Sequence, residues 1–100
     1  MTLLVSYDIE NDRLRLRTAN KLLEFGFLRL QLSVFAGTLP EPLWARLLLW
    51  LQQEAVAKFG PDDKLLWLPL TEHQTRDFHF LPAPPPEWRE QLEPPNTLFI

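Results

Sequence analysis

No cysteine occurs in the 100 residues, which excludes disulfides, thiolate nucleophiles and cysteine zinc sites. Only three glycines are present, and they form neither a Walker loop nor a GxGxxG fingerprint, so nucleotide cofactors have no support. Positive charge is also short. Ten Lys and Arg against thirteen Asp and Glu leave a net charge of −3, a balance mildly unfavourable to a phosphate-rich partner. No apolar run reaches the length of a bilayer, and no basic leader precedes the first strand-like segment, so a cytoplasmic protein with no membrane partner is expected.

What is present is 46% hydrophobic and 23% charged, a composition that packs one small core and leaves no room for a second. The chain opens with TLLVSYDI, residues 2–9, a short apolar segment with the marks of a strand. Alternation puts Leu3, Val5 and Tyr7 on one side and Leu4, Ser6 and Asp8 on the other. Asn11 or Asp12 can cap the helix that follows, and Gly26 ends it just after Phe25. On that helix Leu16, Ala19, Leu22 and Leu23 read as the inward face, with Arg13, Arg17, Asn20, Lys21 and Glu24 opposite. Arg15 falls on the inward side of the first turn, where its long stem can carry the guanidinium toward Asp8.

Leu28, Leu30, Leu32 and Val34 then alternate with Arg29, Gln31 and Ser33 at a strand period, as one strand or as a hairpin folding near Gln31–Ser33. Pro40 and Pro42 open a second helix that runs to about Phe59, before Gly60-Pro61. Its core face is Leu43, Trp44, Leu47, Leu48, Leu51 and Ala55, while Ala45, Leu49 and Val56 make a second apolar stripe suited to a partner contact. Residues 64–70, KLLWLPL, are apolar at both parities, as in a strand covered on both faces. Two helices can cover only one face of a small sheet, so a second copy of the chain is expected on the other. After the turn TEHQTR and the alternating run DFHFL, six prolines fall among the fourteen residues 82–95. That tail must be extended or irregular, and its apolar end, NTLFI, could add a strand to a partner's sheet edge. The order predicts an α+β, ferredoxin-like βαββαβ sandwich over residues 1–81. To it are added an additional C-terminal strand, dimerisation through the sheets and a proline-rich tail at 82–100.

The chemistry concentrates around Asp8. A charge ending a core strand, on the side assigned to the dimer interface, would be brought by a two-fold axis against its own copy. Two facing carboxylates repel unless one protonates or a cation sits between them. Mg²⁺ suits such a place because it takes oxygen ligands and keeps several waters. The plainer alternative is that Asp8 caps a turn or pairs with Arg15. A second concentration is basic: Arg13, Arg15, Arg17, Lys21 and Arg29, half of all the basic residues, lie within residues 13–29 with one acid, Glu24. They are either a solvated face or a phosphate-facing one. His73 and His79 have no ligand motif around them, Ser33 no nucleophile elbow or paired base, and Trp44, Trp50 and Trp67 sit where packing already accounts for them.

SYDIENDRLR, LLEFGFLRLQLSVFAG and PLTEHQ, in this order and spacing, resemble the CRISPR-associated protein two family, the small spacer-acquisition subunit of CRISPR systems, over roughly residues 2–81. The resemblance implies a ferredoxin-like homodimer whose sheets face each other. It further implies a partnership with the integrase CRISPR-associated protein one in inserting DNA fragments into the array, and Mg²⁺-dependent cutting of RNA or DNA in some members. By position, Asp8 matches the family's catalytic, metal-binding aspartate and Tyr7 the aromatic before it. Arg13, Arg15 and Arg17 match the basic helix start expected to contact nucleic-acid backbone, whether duplex DNA or single-stranded RNA, and Ser33 with Phe35 match the SVF segment beside the site. Two other functions remain open: a stand-alone ribonuclease toxin resembling virulence-associated protein D, and a non-catalytic ferredoxin-like interaction module.

Overall fold

A computed structural model describes residues 1–89. The elements follow in the order β1 (Thr2–Asp8), α1 (Asp12–Glu24), β2 (Leu28–Gln31), β3 (Val34–Thr38), α2 (Glu41–Trp50), β4 (Lys64–Leu70) and α3 (Glu72–Arg76). Helix α2 runs on through a π turn, Leu51–Ala55, and a 3₁₀ turn, Val56–Lys58. The sheet order is β2-β3-β1-β4, with every neighbouring pair antiparallel. This is the ferredoxin-like arrangement, two interleaved strand–helix–strand units that share one helical layer.

Alternation along β1 decides which face is the core. Leu3, Val5 and Tyr7 are buried, while Leu4 and Ser6 are only partly covered and Asp8 is exposed. Phe35 of β3 and Leu14, Leu22, Trp44, Leu47 and Leu51 of the helical layer pack onto that first set. Each fully buried leucine there contributes about 1.5–3 kcal/mol relative to exposure. Asn11 caps α1 by accepting the Leu14 amide hydrogen at 2.8 Å, and Gly26, at φ 89°, takes the left-handed turn that ends it. The segment from Leu28 to Thr38 is a hairpin turning at Leu32–Ser33, not one strand.

Two expectations are corrected. Helix α1 buries Leu14, Thr18, Ala19 and Leu22, leaving Leu16 61% and Leu23 43% exposed. Thr18 can take a core position because its hydroxyl donates to the Leu14 carbonyl at 2.9 Å, which satisfies the group without water. Among the described residues β4 borders the sheet, a position where Pro69 is tolerated, and in the single chain Leu66, Trp67 and Leu68 are 57%, 42% and 51% exposed. The TEHQTR stretch is the short helix α3, begun by a capping box in which Thr71 and Gln74 each accept the other's amide hydrogen.

The sheet face away from the helices has a cover from the same chain. Residues 78–85 lie over Leu4, Leu30, Gln31 and Val34, enclosing a cavity of about 520 Å³. Trp88 closes this lid, only 6% exposed, with its ring 5.0 Å from that of Phe78 and 5.1 Å from that of Phe80. The additional C-terminal strand expected at residues 96–100 lies outside the described residues.

Candidate metal and nucleic-acid site

Asp8 ends β1 at the rim of the sheet, opposite Lys64 of β4 in register. Its parity is that of Leu4 and Ser6, the face away from the helices. Among the described residues its carboxylate enters no ion pair, whereas the neighbouring Asp12 is taken up by Arg15. Arg15 helps hold the loop between β1 and α1, together with Asp63, whose Oδ1 accepts the Glu10 amide hydrogen at 2.9 Å. The arginine donates to the Ile9 carbonyl at 2.9 Å and the Glu10 carbonyl at 3.1 Å as well as to Asp12. The pairing of Arg15 with Asp8 weighed from sequence is thus replaced by a pairing with Asp12, one helical turn away, together with two loop carbonyls.

The β2–β3 turn closes on the same rim. The Tyr7 amide donates to the Ser33 carbonyl at 3.2 Å, so Ser33 stands beside the end of β1 although 26 residues separate them. The result is a cleft of about 390 Å³ in which Asp8, Tyr7, Arg15, Arg29 and Ser33 meet, with Asp12 and the exposed Leu32 at its border. Phe35 lies beneath: its ring centroid is 5.9 Å from that of Tyr7, and the Arg29 guanidinium sits 5.0 Å over it. The Tyr7 hydroxyl is buried with no protein partner. Six of the residues singled out in the sequence are therefore assembled at one place.

Arg13, Arg17 and Lys21 are elsewhere. They follow α1 along its border with the second helix, where Arg17 and Lys21 lie 5.6 and 5.1 Å from the Trp50 ring centroid. Two residues there escaped notice in the sequence: Glu54, 3.5 Å from Arg17, and Lys58, 3.6 Å from Glu54. The interval of four from Trp50 to Glu54 to Lys58 was the available signal.

Among the described residues, no group of three His, Asp or Glu side chains is placed to hold a metal. Among the described residues that line the cleft, Asp8 is the carboxylate in no ion pair, and Ser33 lines the same cleft. That donor set fits a hard, water-retaining cation only if a second chain supplies another Asp8.

The family model described as CRISPR associated protein Cas2 matches residues 1–78. The chain belongs to the Cas2 family. The crystal structure of Streptococcus pyogenes Cas2 superposes with a TM-score of 0.66 at 27% identity, covering 81% of this chain and 99% of that one. A hypothetical protein from Thermus thermophilus is 33% identical with a TM-score of 0.60, over 70% of this chain and 80% of its own. CRISPR-associated endoribonuclease Cas2 2 of Chloroflexus aurantiacus is 54% identical over 39 residues, which are 39% of this chain and 46% of that protein. The CRISPR-associated endoribonuclease Cas2 of Aeropyrum pernix is 56% identical over 32 residues, 32% of this chain and 35% of that one. The matched stretches thus span less than half the length of either curated Cas2. Among the described residues, no helix of this Cas2-family chain is long and apolar enough to cross a membrane.

Proposed function

We propose that this Cas2-family chain works as a homodimer in CRISPR adaptation. It grips nucleic-acid backbone through Arg13, Arg15, Arg17, Lys21 and Arg29, scaffolds the integrase CRISPR-associated protein one, and cleaves RNA or DNA phosphodiesters with Mg²⁺ at paired Asp8 carboxylates. The observation that carries this reading is the Asp8 carboxylate, exposed at the end of a core strand and engaged by no cation while Asp12 beside it is. The names of the two curated relatives support nuclease activity. The two copies meet across the β4 side of the sheet face away from the helices, where Leu66 and Leu68 are half-exposed and do not line the recess under the chain's own residues 78–85.

In this arrangement each chain contributes one Asp8 to hold the ion, which when bound supplies a polarised phosphoryl oxygen and a more acidic water. Arg15 holds the loop that follows Asp8, and Arg29, braced on Phe35, positions a backbone phosphate within the cleft. Phosphate contacts set the register of the duplex without reading its sequence. The exposed Leu49 and Val56 stripe offers the integrase an apolar contact on the helical layer.

Replacing Asp8 by Asn tests the reading. Mg²⁺-dependent cleavage should fall by about two orders of magnitude or more, the scale of losing several kcal/mol of charge stabilisation, while the dimer measured by light scattering persists. Undiminished cleavage by D8N would remove Asp8 from the chemistry. A wild-type protein that is dimeric, engages the integrase and cuts nothing would leave the scaffold role alone.

A further inference from the structure

Arg13, Arg17 and Lys21 recur at intervals of four along α1, and Trp50, Glu54 and Lys58 do the same along the helix beside it. The two rows run in opposite senses: Lys21 and Arg17 meet Trp50, Arg17 meets Glu54, and Lys58 joins Arg13 and Arg17 at the start of α1. There Asn11, Arg13, Leu14, Arg17 and Lys58 line a recess of about 260 Å³. One Glu54 oxygen, Oε1, lies 3.5 Å from an Arg17 nitrogen and 3.6 Å from the Lys58 ammonium. Glu54 belongs to the π turn, a helix irregularity that recurs at functional sites.

A carboxylate oxygen held between two cations occupies the place a phosphate oxygen would take. Arg17, Glu54 and Lys58 are 43%, 43% and 53% exposed, so these ion pairs are weak in water and cheaply exchanged. A backbone phosphate carries the same single negative charge as the carboxylate, but it comes as one of a closely spaced row whose condensed counter-ions are released when the two cations engage it, and that release favours the exchange. We propose that Glu54 is a built-in substitute for a nucleic-acid phosphate. It restrains Arg17 and Lys58 in the free protein and releases them when a backbone phosphate enters the recess, where Lys58 joins the α1 cations as a direct contact. This rests on the reading that the chain binds nucleic acid, and it adds a counter-ion that sets how tightly and at what ionic strength it does so.

The test is fluorescence anisotropy of the full chain with a labelled 25-base-pair duplex and with single-stranded RNA, titrated over a range of salt. Glu54→Gln should bind several-fold more tightly at low salt, with the slope of log K against log salt steeper by about one phosphate equivalent. Glu72→Gln makes the same change in charge on α3, outside the groove, and should match the wild type. Lys58→Gln should bind more weakly, with a slope shallower by about one, and it decides the matter alone if circular dichroism finds E54Q unfolded. Equal behaviour of E54Q and E72Q in a protein that does bind, or an unchanged slope in K58Q, overturns the role of Glu54 and Lys58. A wild type that binds neither nucleic acid overturns the broader reading with it.

Discussion

Gly37, the last residue but one of β3, is the position where the smallest change should do the most damage. A Cβ built there would lie 2.6 Å from Cγ of Phe27 and 2.8 Å from both of its Cδ atoms, closer than carbon atoms approach without something moving. The obstacle is a ring 3% exposed and packed in the core, so it cannot swing aside as the end of a surface side chain could. Overpacking of this kind costs about 1–3 kcal/mol, occasionally more. In a domain of this size each kilocalorie lowers Tm by roughly 4–8 °C, so Gly37→Ala should melt about 4–24 °C below the wild type. The damage should also reach the cleft, because Phe27 leads directly into β2, which carries Arg29 and the Leu32–Ser33 turn. Thermal unfolding by circular dichroism reads the first effect, and nucleic-acid affinity reads the second. Phe27→Ala alone should cost about 3–5 kcal/mol, yet in the double variant the new methyl enters vacated space, so the two losses should add to less than their sum. A wild-type Tm for G37A, or strict additivity, would refute the packing argument.

Two further outcomes follow from the caps and the lid. Asn11→Ala removes the acceptor of the Leu14 amide hydrogen and should lower stability by about 1 kcal/mol, read by urea denaturation with an unchanged m-value. Trp88→Ala should cost about 3 kcal/mol locally; limited proteolysis should then cut residues 77–89 far faster, while the Tm of the sheet and helices moves by a few degrees at most.

The frame was legible because its signals are local and redundant. Alternation in TLLVSYDI predicts the buried set Leu3, Val5 and Tyr7; Asn11 and Gly26 bound α1; and Pro40 stands at the start of α2 with Pro42 in its first turn, where proline is tolerated. The face of α1 was misread because Thr18 counts as polar in a periodicity and becomes apolar only once its hydroxyl turns back onto its own helix. Leucine and tryptophan at both parities of β4 carry no information on its place in the sheet order, which among the described residues is at the border. The lid was missed because prolines suggest an extended tail, whereas its anchoring depends on three aromatics, Phe78, Phe80 and Trp88, spread over eleven residues. At the candidate site, Asp8, Tyr7, Ser33 and Phe35 were legible from their motifs. The exchange of Arg15 from Asp8 to Asp12 and the Glu54 contacts depend on loop and π-turn geometry that spacing does not encode.

The border position of β4 has a bearing on solubility. Among the described residues β4 forms a sheet margin of seven residues with exposed leucines, a template that another chain could extend, the first step toward fibrous aggregates. Here the margin begins at the charged Lys64 and meets, one residue before its end, a proline that has no hydrogen to donate. Growth of the sheet sideways is therefore interrupted at both ends, which favours closed pairs of molecules over endless ribbons.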